Sequence, residues 1–249
     1  MSHKSIRTFG LIGKTLSHSF SALYFTKKFE SEKISASYEN FELDNASIIP
    51  SILHSGISGC NITIPYKEEV ISFLDDLSDE ASVIGSVNCI VIRNGKAIGH
   101  NTDAYGFKES LRPVLRNTHQ KALILGTGGA SKAVAYVLKE LGLEFRFVSR
   151  NPTGSQLGYG DLNDKALAYF PFIINTTPLG TAPNVNQAPD IPYPYINESN
   201  LLYDLTYNPA ESLFLKKGKA QGALTMNGHK MLLYQAEQSW ELWNADYLK

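Results

Sequence analysis

Short apolar runs closed by glycine or a turn alternate along this chain with longer stretches of helical spacing. Residues 8–13 read as a buried strand ending in glycine, and residues 22–30 as the helix that follows. Residues 37–43 alternate as a second strand, and residues 46–54 carry helical spacing interrupted by Pro50. In Asn61-Ile62-Thr63-Ile64-Pro65-Tyr66-Lys67, alternation predicts a strand with the isoleucines on one face and Asn61 and Thr63 on the other. Pro65 cannot donate to a central ladder, so the strand should stop near it, with a helix from Lys67 to residue 74. That places Lys67 at a strand-to-helix turn. Residues 80–92 lead into another buried strand, and Asn94-Gly95 is the strongest short hairpin signal in the chain, joining it to residues 96–100. A helix is expected over residues 104–115.

A second series starts at Lys121. Residues 122–125 form a continuous apolar strand, Gly126-Thr127-Gly128-Gly129-Ala130-Ser131 a glycine-rich turn, residues 132–141 an amphipathic helix, and residues 145–150 another strand. Residues 172–180 read as a later buried strand ending in a polar loop and residues 201–207 as another strand, with an irregular loop rich in Pro and Asn between them. Residues 231–243 read as an amphipathic helix whose apolar face needs a partner, expected to be the first domain.

Composition narrows the class. The 249 residues suffice for two modest domains, and 23 basic against 24 acidic residues give no excess of positive charge for nucleic acid or acidic lipid. Cys60 and Cys89 lack metal-ligand or redox spacing and read as small core residues, so neither a metal nor an oxidising compartment is implied. With no apolar run of membrane-spanning length and no leader-like start, a soluble cytoplasmic protein is expected.

Candidate chemistry gathers at the predicted turns. Ser17, Ser19 and Ser21 stand between a strand and a helix, where a hydroxyl caps the helix or, together with its first amides, holds an anion. Asn88 and Asp103 lie at the ends of neighbouring elements, although Asp103 alone reads more readily as the N-cap of the following helix than as a catalytic residue. The glycine turn between strand and helix matches a dinucleotide fingerprint, with Ser131 where a third Gly or Ala is usual. The following strand ends in Ser149-Arg150 rather than an acidic residue, which favours a 2′-phosphate and hence NADP over NAD.

Taken in order, these pieces resemble the shikimate dehydrogenase family over nearly the whole chain. The match rests on Ser-His-Ser-x-Ser (residues 17–21), Asn-x-Thr-x-Pro-x-Lys (61–67), Gly-Ser-Val-Asn (85–88), Asn-Thr-Asp (101–103) and the glycine turn. It continues through Asn-Thr-Thr-Pro-Leu-Gly (175–180), Asp-Leu-Thr-Tyr (204–207) and Met-Leu-x-x-Gln-Ala (231–236).

The resemblance implies an α/β protein: a three-layer substrate domain from residues 1–103 with 229–249, and a Rossmann-like NADP domain over residues 104–228, with the active site in the cleft between them. It implies reversible NADPH-dependent reduction of 3-dehydroshikimate to shikimate by a monomer or homodimer. Lys67 matches the family's catalytic lysine and Asp103 its partner. Ser19 and Ser21 match the substrate-carboxylate ligands, and Thr63, Asn88, Tyr207 and Gln235 the other substrate contacts. Gly126, Thr127, Gly128, Gly129, Ala130, Ser149, Arg150, Leu205 and Gly228 match the NADP(H) contacts. Two departures stand out: Asn227-Gly228-His229-Lys230 replaces the family's Asp-Gly-Leu-Gly, and no second basic residue follows Arg150. The alternatives are a quinate or dual shikimate/quinate dehydrogenase, and a silent metabolite-binding regulatory homologue. Intact Lys67 and Asp103 speak against the silent homologue.

Overall fold

The computed structural model describes residues 6–16 and 19–245, so Ser17 of the serine turn lies outside the described residues. The chain divides into two compact units: residues up to Thr102 together with those from Ala236, and Asp103–Gln235.

The first unit is built on a mixed six-stranded sheet. Its elements are β1 (Arg7–Gly13), α1 (Phe20–Ser31), β2 (Ala36–Glu42), α2 (Ile49–Leu53), β3 (Gly59–Ile62), β4 (Asp76–Leu77), α3 (Asp79–Ile84), β5 (Cys89–Arg93) and β6 (Lys96–His100). The strands lie in the order β2-β1-β3-β5-β6-β4, with β1, β2 and β3 parallel and β5 antiparallel to both β3 and β6. Asn94 and Gly95 both take positive φ, 52° and 76°, as a two-residue hairpin requires. Pro50 does not break a helix but starts one: a short 3-10 turn over Ala46–Ile48 leads into α2 with the proline in its first turn.

One sheet face carries Ile12, Ile49, Ile62, Val70 and Ile90. The other carries Phe9, Phe25 and Phe29 and receives Trp243 from the C-terminal helix. Trp243 stacks on Phe9 with ring centroids 4.6 Å apart and donates its indole N–H to the Ile90 carbonyl at 3.0 Å. Gly59 makes this approach possible, since a Cβ there would lie 2.5 Å from the indole nitrogen. From Ala236 onward the C-terminal helix therefore has its partner in the first unit.

The second unit holds an all-parallel sheet. It contains α4 (Thr102–Leu111, whose first residue belongs to the other unit), β7 (Lys121–Leu125), α5 (Gly129–Glu140), β8 (Glu144–Ser149), β9 (Leu157–Gly158), α6 (Asp164–Tyr169), β10 (Phe172–Asn175), β11 (Leu201–Asp204), α7 (Leu213–Ala220) and β12 (Leu224–Asn227). The final helix, α8 (His229–Asn244), contributes to both units. The order β12-β11-β10-β7-β8-β9 is the doubly wound arrangement of a dinucleotide-binding sheet, with its switch point between β7 and β10. Strands covered on both faces read as continuous apolar runs, and β10 and β11 are buried throughout.

Two expectations fail locally. β3 ends at Ile62 and a turn follows, so Ile64 leaves the alternation and is 70% exposed, while Asn61 is 4% exposed. β3 is a central strand covered on both faces, so it has no solvent face to receive its polar residue. After Lys67 the chain makes only a 3-10 helix, Glu69–Phe73, rather than an α-helix beginning at the lysine.

Candidate active site

The parallel strands of the first sheet run towards one end, and antiparallel β5 begins there. Four of the expected substrate residues gather at that end. Ser19 caps α1, accepting from the Ala22 N–H at 3.1 Å, and Ser21 is buried in the first turn beside the Tyr38 phenol. Thr63 follows β3 and packs against Gly13, where a Cβ would come within 2.5 Å of its methyl group. Asn88 immediately precedes β5, and its carbonyl accepts from the Ile62 N–H at 2.9 Å.

Lys67 comes four residues after Thr63 and is half-buried. Its backbone is pinned on both sides. Val87 N–H donates to the Lys67 carbonyl at 2.8 Å, and the preceding Tyr66 is buried with its hydroxyl donating to the Leu43 carbonyl.

The polar groups behind these residues are joined. Tyr38 donates to Asn61 Oδ1 at 2.9 Å, and burial holds its phenol well above the ordinary value, keeping the donor protonated. Asn61 Nδ2 donates to the Asn88 carbonyl at 3.1 Å and to Ser239 Oγ at 2.9 Å. None of these links is visible in the sequence, where Asn61 reads as an outward polar position and Ser239 as one residue of an amphipathic helix.

In the second unit, Asp103 lies in the first turn of α4 rather than at the cap position and is buried. One turn later on the same face, Gly106 brings α4 against α8: a Cβ there would be 2.4 Å from the Met231 carbonyl and 3.0 Å from Gln235. Gln235, also buried, is thereby set beside α4. Tyr207 follows β11 and is partly buried, and burial raises its phenol above the ordinary value.

The expected cofactor residues all lie at the carboxyl ends of the parallel strands. Gly126 follows β7 with φ +108°, and a Cβ there would meet Thr176 Oγ1 at 2.9 Å. Thr127 separates it from Gly128, the residue before α5, which has open space where its side chain would be; no side chain caps this helix start. Gly129 and Ala130 in the first turn thus present backbone amides and the positive end of the helix dipole. Ser131 takes the third fingerprint position without obstruction, because its side chain turns back to donate to the Gly128 carbonyl at 2.6 Å. Ser149 ends β8 and accepts from the Asn151 N–H at 3.2 Å, and Arg150 beside it is exposed. Gly228 packs on Leu205, where a Cβ would fall 2.1 Å from the Leu205 carbonyl oxygen.

Asp204, which in the sequence stands only as part of a motif, organises this edge. Fully buried, it accepts from Asn175 Nδ2 at 3.0 Å, from the Thr206 N–H at 2.9 Å and from Ser212 Oγ. Burial raises its carboxyl above the ordinary range, while those donors oppose the rise. An acidic residue at a strand end followed by Thr and Ser is the available signal.

A glycine turn at the switch point of a doubly wound sheet, in a chain that also carries a second α/β unit with a polar side-chain cluster, defines a nicotinamide-dinucleotide dehydrogenase. Residues 11–90 match the family model described as the shikimate dehydrogenase substrate binding domain. The chain is 37% identical to shikimate dehydrogenase (NADP(+)) of Methanococcus vannielii, over 95% of this chain and 90% of the relative, and 38% identical to that of Carboxydothermus hydrogenoformans, over 95% and 91%. Among solved structures, shikimate 5-dehydrogenase of Thermus thermophilus, in complex with NADP(H) and shikimate, aligns with TM-score 0.86 and 30% identity, covering 96% of this chain and 94% of that one. The chain belongs to the shikimate dehydrogenase family.

Proposed function

We propose that this protein is an NADP-dependent shikimate dehydrogenase that interconverts 3-dehydroshikimate and shikimate, within the biosynthetic route to chorismate and aromatic amino acids. The observation that carries the reading is the Ser19, Ser21, Thr63, Lys67 and Asn88 cluster at one end of the first sheet, in a chain sharing over a third of its residues with NADP-dependent shikimate dehydrogenases.

The second unit fits the dinucleotide, because the turn passes close against Thr176 at Gly126, space is open at Gly128 and no side chain caps the start of α5. Gly126 to Ala130 would hold its phosphates, Ser149 and Arg150 its 2′-phosphate, and Leu205 and Gly228 its far end; the nicotinamide supplies the hydride acceptor and donor. Lys67 takes the proton from the shikimate hydroxyl in oxidation and returns it in reduction. Asp103 orients the lysine and a substrate hydroxyl. Ser19 and Ser21 bind the substrate carboxylate, and Thr63, Asn88, Tyr207 and Gln235 its hydroxyls. We assign the first unit, with Asp103, Tyr207 and Gln235 of the second, to substrate and the glycine-turn sheet of the second unit to cofactor, in a cytoplasmic monomer or homodimer; among the described residues no helix is long and apolar enough to cross a membrane.

The test follows nicotinamide absorbance with shikimate or quinate and with NADP or NAD, in a two-by-two comparison. The expected result is turnover greatest with shikimate and NADP. Preference for quinate, or no turnover in any arm, contradicts the proposal. Replacing Arg150 with Ala should weaken NADP binding roughly tenfold and leave NAD little changed; an equal loss for both nucleotides would remove Arg150 from the 2′-phosphate.

A further inference from the structure

Ser239 lies in the middle of α8 and is completely buried. A serine on a helix face that otherwise delivers Ala236, Trp240 and Trp243 to an aromatic core calls for an explanation. Its hydroxyl sits at the junction of the polar groups behind the substrate cluster. Asn61 Nδ2 donates to Ser239 Oγ at 2.9 Å, and the Thr102 hydroxyl is 3.2 Å away.

The orientation of each carboxamide around that junction is fixed by an atom with one possible role. The Asn88 backbone carbonyl can only accept, so the Asn61 nitrogen faces it and the Asn61 oxygen must face Tyr38. One Asn61 amide hydrogen goes to that carbonyl and the other to Ser239. The Thr102 backbone N–H can only donate, and it meets Asn88 Oδ1 at 2.6 Å. The Asn88 nitrogen is thereby directed to the Thr102 hydroxyl, at 3.0 Å, whose oxygen also lies 3.2 Å from Asn88 Oδ1. The carboxamide expected to meet substrate is thus clamped by Thr102, and Ser239 links the clamp to Asn61 and, through Tyr38, to the neighbourhood of Ser21.

We propose that Ser239 is a positioning residue for substrate recognition: it touches no substrate, but by joining Asn61 to Thr102 it fixes the plane and direction of the Asn88 carboxamide. The inference rests on the reading of Asn88 as a shikimate contact. Without the Ser239 oxygen, an Asn61 amide hydrogen loses a buried acceptor, and the Thr102 hydroxyl turns towards Asn88 Oδ1, 3.2 Å away, where it competes with the Thr102 N–H. Asn88 then meets substrate in a spread of orientations, which weakens substrate binding and leaves the nucleotide unaffected.

The test is a double-mutant cycle on the full-length enzyme, comparing wild type, Ser239→Ala, Asn88→Ala and the double variant, with KM and kcat for both substrates and a calorimetric titration with shikimate. Ser239→Ala is expected to raise the shikimate KM and Kd about five- to twenty-fold, with the NADP KM within about twofold of wild type. Added to Asn88→Ala, it is expected to change the shikimate Kd by less than about twofold, because the group it positions is gone. Equal effects in both backgrounds, or a loss shared by the NADP KM, would overturn the inference. Tyr38→Phe keeps the ring and removes the hydroxyl that donates to Asn61 and also meets Ser21. It should raise the shikimate KM in the same direction by a smaller factor, and an unchanged value would also count against the inference. Wild-type enzyme that fails to oxidise shikimate refutes the functional reading itself, whereas active wild type with an unmoved Ser239→Ala refutes only the role of Ser239.

Discussion

The two units solve recognition by opposite means. In the first, the candidate site consists of side chains, and the buried carboxamides and hydroxyls of Tyr38, Asn61, Thr102 and Ser239 hold them in place. In the second, the site consists largely of backbone: a Cβ at Gly126 or Gly228 would collide with Thr176 or Leu205, and Gly128 leaves the start of α5 without a side-chain cap. The chemistry of the two ligands accounts for the contrast. A pyrophosphate is met by repeated amides at a helix start, which any sequence supplies if the side chains are removed. A polyhydroxylated acid needs distinct donors and acceptors at fixed points, and each group buried without a partner costs about 1 to 3 kcal/mol. The first unit is therefore sensitive to the loss of atoms and the second to their addition.

The largest expected effect belongs to the first unit. Lys67→Ala should lower turnover by about 100-fold or more with a much smaller change in the shikimate KM. Turnover within a few-fold of wild type would show that the lysine does not move the proton. Next in size, Ser19→Ala and Ser21→Ala should each raise the shikimate KM by roughly 3- to 10-fold at nearly constant kcat. Ser19 also caps α1, so a modest loss in melting temperature should accompany its replacement and not that of Ser21. Unchanged KM in both would reduce the serines to helix-start chemistry and erase half of the contrast.

The smallest effect falls on stability and in the second unit. His119 is buried against Phe172 with its Nδ1 accepting from the Arg116 N–H, and burial, aided by the Arg116 charge, lowers its pKa. The unfolded chain therefore binds a proton more readily than the folded one, so stability holds above the ordinary histidine pKa of about 6.5 and falls as the pH drops below it. Urea midpoints measured across that range should slope downward on acidification, and His119→Gln should flatten the slope. A midpoint that rises towards acid pH would contradict this assignment.

Much of this architecture can be read from local signals. The Asn94-Gly95 hairpin, the strand, glycine turn and helix around Gly126, and the amphipathic α8 each announce themselves within a few residues. α3 escapes the pattern although Ser78 caps it, Asp79 and Glu80 occupy its first turn, and Gly85 closes it at φ +67°; six residues are too short for a helical period to show. Alternation sets Asn61 opposite Ile62 as found, but it misses that the strand stops before Ile64 and that the face of Asn61 is covered. It assumes a sheet with one wet face, and only the long-range arrival of α8 over β3 turns Asn61 inward, with a partner 178 residues away. The residues expected to touch ligands are legible from their motifs, whereas the network that holds them depends on contacts that no local pattern encodes.

The contrast between the two units is tested most directly by nucleotide titration of two variants. Gly126→Ala adds one carbon where φ is +108° and the Thr176 hydroxyl would be 2.9 Å away; Asn88→Ala removes a carboxamide from the other unit. The NADP dissociation constant should rise about tenfold or more in Gly126→Ala and stay within about twofold of wild type in Asn88→Ala. Equal weakening in both, or a normal value in Gly126→Ala, would contradict the division of labour between backbone and side chains.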